Sequence, residues 1–178
     1  AELTPYPRAN THSARSMEHY RRLGLTADFR RKGLPAEHSN DVAYMTRLTG
    51  HELARVKLPT GAQQLRDPGP YTPEPTFRTS QMYLEPLLLG RLKSLPAVTL
   101  LLGHEVHAVG QDEHGVWADV QDGSGRSSRL SGSHLVGCDG PRSVVRRSIE
   151  SSYIGEDGKA RPFFGGRMWS SVFRSRQF

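Results

Sequence analysis

Leu135-Val136-Gly137-Cys138-Asp139-Gly140-Pro141-Arg142-Ser143-Val144-Val145-Arg146-Arg147 is the stretch on which the reading of this chain turns. A short apolar run, a tight turn with one carboxylate and a basic segment follow one another, which is the pattern of a strand handing over to a helix. In an α/β sheet, ligands sit outside the carboxyl ends of the strands, so Asp139 falls where a ligand is held. Gly137 and Gly140 remove side chains on either side, which lets a bulky group approach the backbone. Asp-Gly-Pro is equally an ordinary strand-to-helix turn, with Asp139 capping free N–H groups and Pro141 in the first helical turn. In the first reading the carboxylate accepts from ribose hydroxyls or holds a bridging water. In the second it serves the fold alone.

Upstream of this turn, Val98–Leu102 reads as a buried strand. Glu105–Gln111, Val116–Asp122 and Arg126–Leu130 form a β-meander, with Asp112–Gly115 and Asp122–Gly125 as its turns. Val116, Ala118 and Val120 face one way, and Trp117, Asp119 and Gln121 the other. Ser80–Leu95 is a helix with an apolar stripe at Leu84, Leu87, Leu88, Leu92 and Leu95. Pro86 suits it only if the regular helix begins close by. Gln81 stands at its entrance, with an amide that both donates and accepts. The proline- and glycine-rich run from Gly61 to Pro75 reads as a loop.

Val42–Thr46 and Leu53–Leu58 read as two strands separated by Thr49-Gly50-His51. Before them, Thr11 or Ser13 caps a helix running to Leu23, with Met17 and Tyr20 in the core. Gly24 fits the left-handed position after the last turn, and Leu25 the apolar contact beyond it. Thr26–Lys32 is a further short helix, closed by Gly33-Leu34-Pro35. Arg8 lies in the extended, proline-bearing entry. After Ile149, Phe163, Phe164, Met168, Trp169, Val172 and Phe173 make an aromatic tail that needs a partner sheet.

With 178 residues the chain is long enough for a core, yet only 35% of them are apolar, and 18 Gly with 12 Pro make it rich in turns. That suits a piece of a larger protein whose core is partly supplied elsewhere. The net charge of +6 favours anionic partners such as dinucleotide phosphates. The basic residues are scattered in short groups without interleaved aromatics, which argues against nucleic acid. No apolar run approaches the length that spans a bilayer. Ala1–Pro5 has neither the basic nor the apolar region of a secretory leader, and Cys138 is the single cysteine, so a reducing cytoplasm is expected. Within an apolar strand, Cys138 is read as a packing residue.

Other chemistries lack their residues. His104-Glu105-Val106-His107 has two residues between its histidines, not the three that place both on one helix face around zinc, so no metal site is expected. No Gly-x-Ser-x-Gly elbow and no Walker loop is present.

The Asp139 turn resembles the Asp-Gly motif of the FAD-dependent aromatic hydroxylases, the single-component flavoprotein monooxygenases. Pro7–Thr11, Ser13–Glu18 and Arg22–Leu25 are similar to the segment after that family's second strand. Ser80–Leu87 is similar to its next flavin-contacting helix, and Gly103–Val106 to the strand that passes the adenine. Arg161–Met168 resembles a substrate-domain stretch of the phenol and polyketide hydroxylase branch. The family opens with a strand, a Gly-x-Gly-x-x-Gly turn and a helix that seat the FAD pyrophosphate. This sequence has no such turn, so it is expected to be an internal fragment or a gene product truncated at both ends.

The resemblance implies a mixed α/β (α+β) fold: a partial, Rossmann-like FAD-binding domain with a β-meander, plus pieces of an antiparallel substrate-binding sheet. Residues 1–38 and 80–150 would form the FAD-binding domain, and 39–79 and 151–178 the substrate domain. It implies FAD as cofactor, NAD(P)H as co-substrate, O2 as oxidant and a phenolic or polycyclic aromatic substrate. Arg8, Gln81 and Asp139 are the residues expected on FAD, with Val106 offering backbone contact to the adenine. Asp139 would also face the reduced nicotinamide. A flavin-dependent halogenase or reductase of the same fold, or a non-catalytic fragment or pseudoenzyme, is the alternative.

Overall fold

In the computed structural model, Ser13 opens helix α1 (Ala14–Arg22) by accepting the Ser16 N–H at its Oγ, 3.2 Å away. The structure describes Leu3, residues 6–154 and residues 171–176. The helix closes as the sequence predicts. Gly24 takes φ +74°, its N–H reaches the Arg21 carbonyl, and the Leu25 N–H reaches the Tyr20 carbonyl, both at 2.9 Å. A left-handed residue costs glycine little, and the paired bonds satisfy carbonyls that the helix end would orphan. Leu25 is buried beyond the turn.

The described residues divide into two units, one of residues up to 100 with 171–176, the other of residues 101–154. In the first, helix α2 (Thr26–Arg31) brings Phe29 against Met17, and both are fully buried. Strands β2 (Val42–Met45) and β3 (Glu52–Val56) form an antiparallel hairpin in which every strand residue is exposed, including Tyr44, Met45 and Leu53. Strand β1 (Thr11–His12) pairs antiparallel with β4 (Phe77–Arg78). Helix α4 (Gln81–Lys93) then adds Leu84 to Met17 and Phe29, with Tyr20, Phe77, Leu87 and Leu88 packed around them. The rings of His12, Tyr20 and Phe77 each meet Phe29 edge-on, with centroids 4.9 to 5.5 Å apart. Such contacts add about 0.5–1.5 kcal/mol apiece beyond the area they bury.

Two expectations for this unit need correction. Residues 61–75 are not all loop: helix α3 (Gly61–Arg66) lies between β3 and β4. Its cause is a capping box, in which the Thr60 hydroxyl accepts the Gln63 N–H and the Gln63 amide oxygen accepts the Thr60 N–H at 2.8 Å. The rest of the segment is tied down by Glu74, which is buried, 2.7 Å from Arg30 and 3.7 Å from Arg21. The Thr72 hydroxyl also donates to Glu18 at 2.7 Å. Second, α4 runs through Pro86 rather than starting beside it. The ring withholds one N–H from the Met82 carbonyl, and the packed leucines hold the helix together across that gap.

In the other unit β5 (Glu105–Asp112), β6 (Gly115–Gln121) and β7 (Ser127–Gly132) form the expected antiparallel meander, in that order. Val120 is buried on one face. On the other, the Arg129 guanidinium lies 4.0 Å over the Trp117 ring and holds Asp119 through two bonds of 2.7 and 2.8 Å. Gly110 is paired with Trp117, whose ring lies across it; a Cβ there would come within 2.4 Å of the indole.

Val98–Leu102 and Leu135–Cys138, both read as strands, are neither. A strand is stable only when its N–H and C=O groups find a partner, and among the described residues every strand pairing is antiparallel and excludes these two runs. Leu101, Leu102 and Val136 are exposed, and Cys138 is exposed rather than packed. Phe163, Phe164, Met168 and Trp169 lie outside the described residues; Val172 and Phe173 are exposed.

Truncating the shared aromatic should cost far more than truncating the hairpin. Phe29→Ala is expected to destabilise the chain by about 3–5 kcal/mol in urea unfolding. Leu53→Ala is expected to fall within about 0.5 kcal/mol of the parent.

Candidate functional site

Asp139 ends the segment that follows the meander and precedes a 3₁₀ turn (Gly140–Arg142) and helix α5 (Val144–Ser148). Gly140 takes φ +73°, which swings the chain so that one oxygen of Asp139, Oδ2, accepts the Val144 N–H at 2.6 Å and the Val145 N–H at 3.3 Å. The Ser143 hydroxyl accepts the Arg146 N–H at 2.9 Å. These groups together satisfy the first amides of α5. Gly137 has a packing role, because a Cβ there would meet the Val145 Cβ at 2.6 Å. The capping geometry of the second sequence reading is present, on a side chain that is exposed. The Ser143 hydroxyl, and after it the backbone amides, hold the Asp139 carboxyl below the ordinary aspartate range.

Gln81 begins α4, directly after its cap Ser80, whose hydroxyl accepts the Met82 N–H at 3.4 Å. The Gln81 backbone N–H donates to the Ala9 carbonyl at 2.8 Å, and its side-chain amide donates to Glu85 at 2.6 Å. Through Ala9 the fold brings Arg8, which is exposed, to the start of α4. Beside this junction opens a cleft of about 390 Å³, lined among others by Asn10, Lys32, Gly33, Arg78, Ser80 and Tyr83. Two cations and no carboxylate line it. With the positive end of a 13-residue helix at its wall, the cleft favours an anion. Lys32 and Arg78 escaped the sequence reading because nothing in their local pattern tells them from surface cations.

Val106 lies on β5, which among the described residues pairs with β6 alone, and is exposed. It pairs with Val120; the register then steps, leaving His107 as the extra residue of a bulge. Bulges interrupt the ladder locally. Of the four expected residues, Arg8 and Gln81 belong to one unit, joined through the Ala9–Gln81 bond, and Val106 and Asp139 belong to the other. Among the described residues no three metal-binding side chains gather, and no helix is long and apolar enough to cross a membrane.

Residues 1–166 match the model of a family described as FAD binding domain. The chain is 32% identical to the FAD-dependent monooxygenase opdD of Penicillium oxalicum over 90% of this chain and 34% of that protein. It is 28% identical to a 3-(3-hydroxy-phenyl)propionate/3-hydroxycinnamic acid hydroxylase of Comamonas testosteroni, over 83% of this chain and 25% of that protein. Among solved structures, the flavin-dependent monooxygenase PieE in complex with FAD and substrate superposes with a TM-score of 0.74 at 27% identity, over 84% of this chain and 26% of that one. The chain spans between a quarter and about a third of the length of these proteins.

Because its folded pKa is depressed, Asp139 contributes stability that is present above the unfolded aspartate value of about 3.9 and is lost as pH falls through the lower folded value. Acid unfolding of the parent should therefore show a loss below about pH 4 that Asp139→Asn reduces. The Val144 amide shift should titrate below the pH at which an unfolded aspartate does.

Proposed function

The chain belongs to the FAD binding domain family, and from that premise we propose that it is part of an FAD-dependent monooxygenase that hydroxylates a phenolic or polycyclic aromatic ring with NAD(P)H and O2. The match over residues 1–166 carries the reading, and the hydroxylase and the two monooxygenases similar to this chain support it. Bound FAD would accept electrons from the nicotinamide and, with O2, supply the oxygen atom. Residues 1–38 and 80–150 belong in this reading to the cofactor-binding domain, and 39–79 and 151–178 to the substrate domain. The exposed β2–β3 hairpin, which carries Val42, Tyr44, Met45 and Leu53 beside the Glu52–Arg55 ion pair, suits a surface that substrate-domain segments cover.

This chain's own residues bind and orient. The fit is electrostatic: the cleft beside α4 offers Lys32 and Arg78 to a ligand that carries two phosphates, and Arg8, which does not line the cleft itself, precedes the Ala9 carbonyl bonded to Gln81. Arg8 suits phosphate oxygens through its fork of donors. The Gln81 amide suits a flavin or ribityl group. The backbone around Val106 suits an adenine, which needs hydrogen-bonding groups rather than charge. Asp139, whose Oδ2 accepts the Val144 and Val145 N–H groups, is held as an exposed carboxylate that suits a ribose hydroxyl or a water-mediated contact. The protein groups thereby hold the ring system and exclude water, and none of them has to act as a nucleophile.

Flavin absorbance of the full-length protein tests this. FAD is expected to co-purify or to bind on addition. Arg8→Ala and Gln81→Ala should each weaken it by about tenfold, the scale of one lost charge-assisted hydrogen bond. A full-length protein that takes up no FAD overturns the reading.

A further inference from the structure

His12 is buried in the aromatic cluster, 7% exposed, and both its ring nitrogens are engaged. Nε2 lies 3.1 Å from the Thr79 carbonyl, which can only accept, so Nε2 carries the proton. In the neutral ring Nδ1 then accepts from the Tyr20 hydroxyl, 3.3 Å away. Burial pushes the Tyr20 phenol up from its ordinary value, which keeps that hydroxyl a donor. The ring itself is wedged edge-on against Phe29 and Tyr20. One tautomer in one orientation is therefore fixed by its surroundings.

Thr79 stands two residues before Gln81, and its own hydroxyl donates to the Lys32 carbonyl at 3.3 Å. Lys32 is a cation of the cleft. Three residues before His12, the Ala9 carbonyl receives the Gln81 N–H. The start of α4 is thus clipped to the first segment at two points, one on each side of Ser80: Ala9 to Gln81, and His12 to Thr79. Between β1 and β4 only two residue pairs are in register, Thr11 with Arg78 and His12 with Phe77, so the ladder alone is a short one and the clip adds to it.

We propose that His12 is a positioning residue, which through the Thr79 carbonyl sets the register of the α4 entrance against the Arg8 segment and so fixes the distance between Arg8 and Gln81. It does not touch the ligand. The proposal rests on the cofactor reading of Arg8 and Gln81, although the clip itself can be measured without FAD.

The test uses the full-length protein with FAD as the probe and two variants, His12→Phe and His12→Gln. Phenylalanine keeps the ring and loses both nitrogens; glutamine puts an N–H donor back near the Nε2 position. His12→Phe should speed hydrogen exchange of the Gln81 amide relative to the Met17 amide, which is bonded within the α1 turn to Ser13, and should weaken FAD about tenfold, the scale of one lost hydrogen bond. His12→Gln should restore both. Equal acceleration at Gln81 and Met17 would mean a core role only and would overturn the proposal. So would an unchanged FAD affinity in His12→Phe beside a weakened one in Gln81→Ala. If the parent takes up no FAD, or Gln81→Ala binds it normally, the cofactor reading is what fails, and the exchange ratio alone decides whether the clip exists.

Discussion

One backbone hydrogen bond, from the Gln81 N–H to the Ala9 carbonyl, is the constraint on which half of the candidate site depends. It joins an extended segment to the first turn of a helix far along the chain. Arg8 precedes it on one side and Gln81 bears it on the other. Nothing in the local sequence forces the two together. The bond survives because both ends are anchored in one core: α1 through Met17, α2 through Phe29 and α4 through Leu84. Burying those side chains contributes on the order of 1.5–3 kcal/mol each, which is what a polar junction at the surface needs beneath it.

The other half of the site is built differently. Asp139 satisfies the first amides of α5, and Gly137 lets the backbone lie against Val145. A carboxylate that already accepts two N–H groups is held in place and kept ionised, which is also what an acceptor for a sugar hydroxyl or water requires. The residue types alone could not separate the two readings, because both ask for Asp flanked by Gly and Pro.

Local structure was legible wherever its cause is local. Ser13 at the head of α1, the Gly24–Leu25 exit and the Asp-Gly turns of the meander are all hydrogen-bond solutions within a few residues, and each stands as read. The capping box of α3 was also present in the letters Thr60-Gly61-Ala62-Gln63, but the prolines that follow obscured it. Misreadings cluster where the cause is remote. Val98–Leu102 and Leu135–Cys138 have the composition of buried strands, yet a strand exists only through its neighbour. Lys32, Arg78 and His12 are likewise ordinary in sequence and acquire meaning from what folds against them.

The central claim is that Arg8 and Gln81 act as one unit because the Ala9–Gln81 bond holds them together. A double-mutant cycle on FAD affinity of the full-length protein tests it directly, with Arg8→Ala, Gln81→Ala and the double variant. The account predicts losses that do not add, with a coupling of at least about 0.5 kcal/mol. Strictly additive losses, or single variants that bind FAD as the parent does, would contradict it.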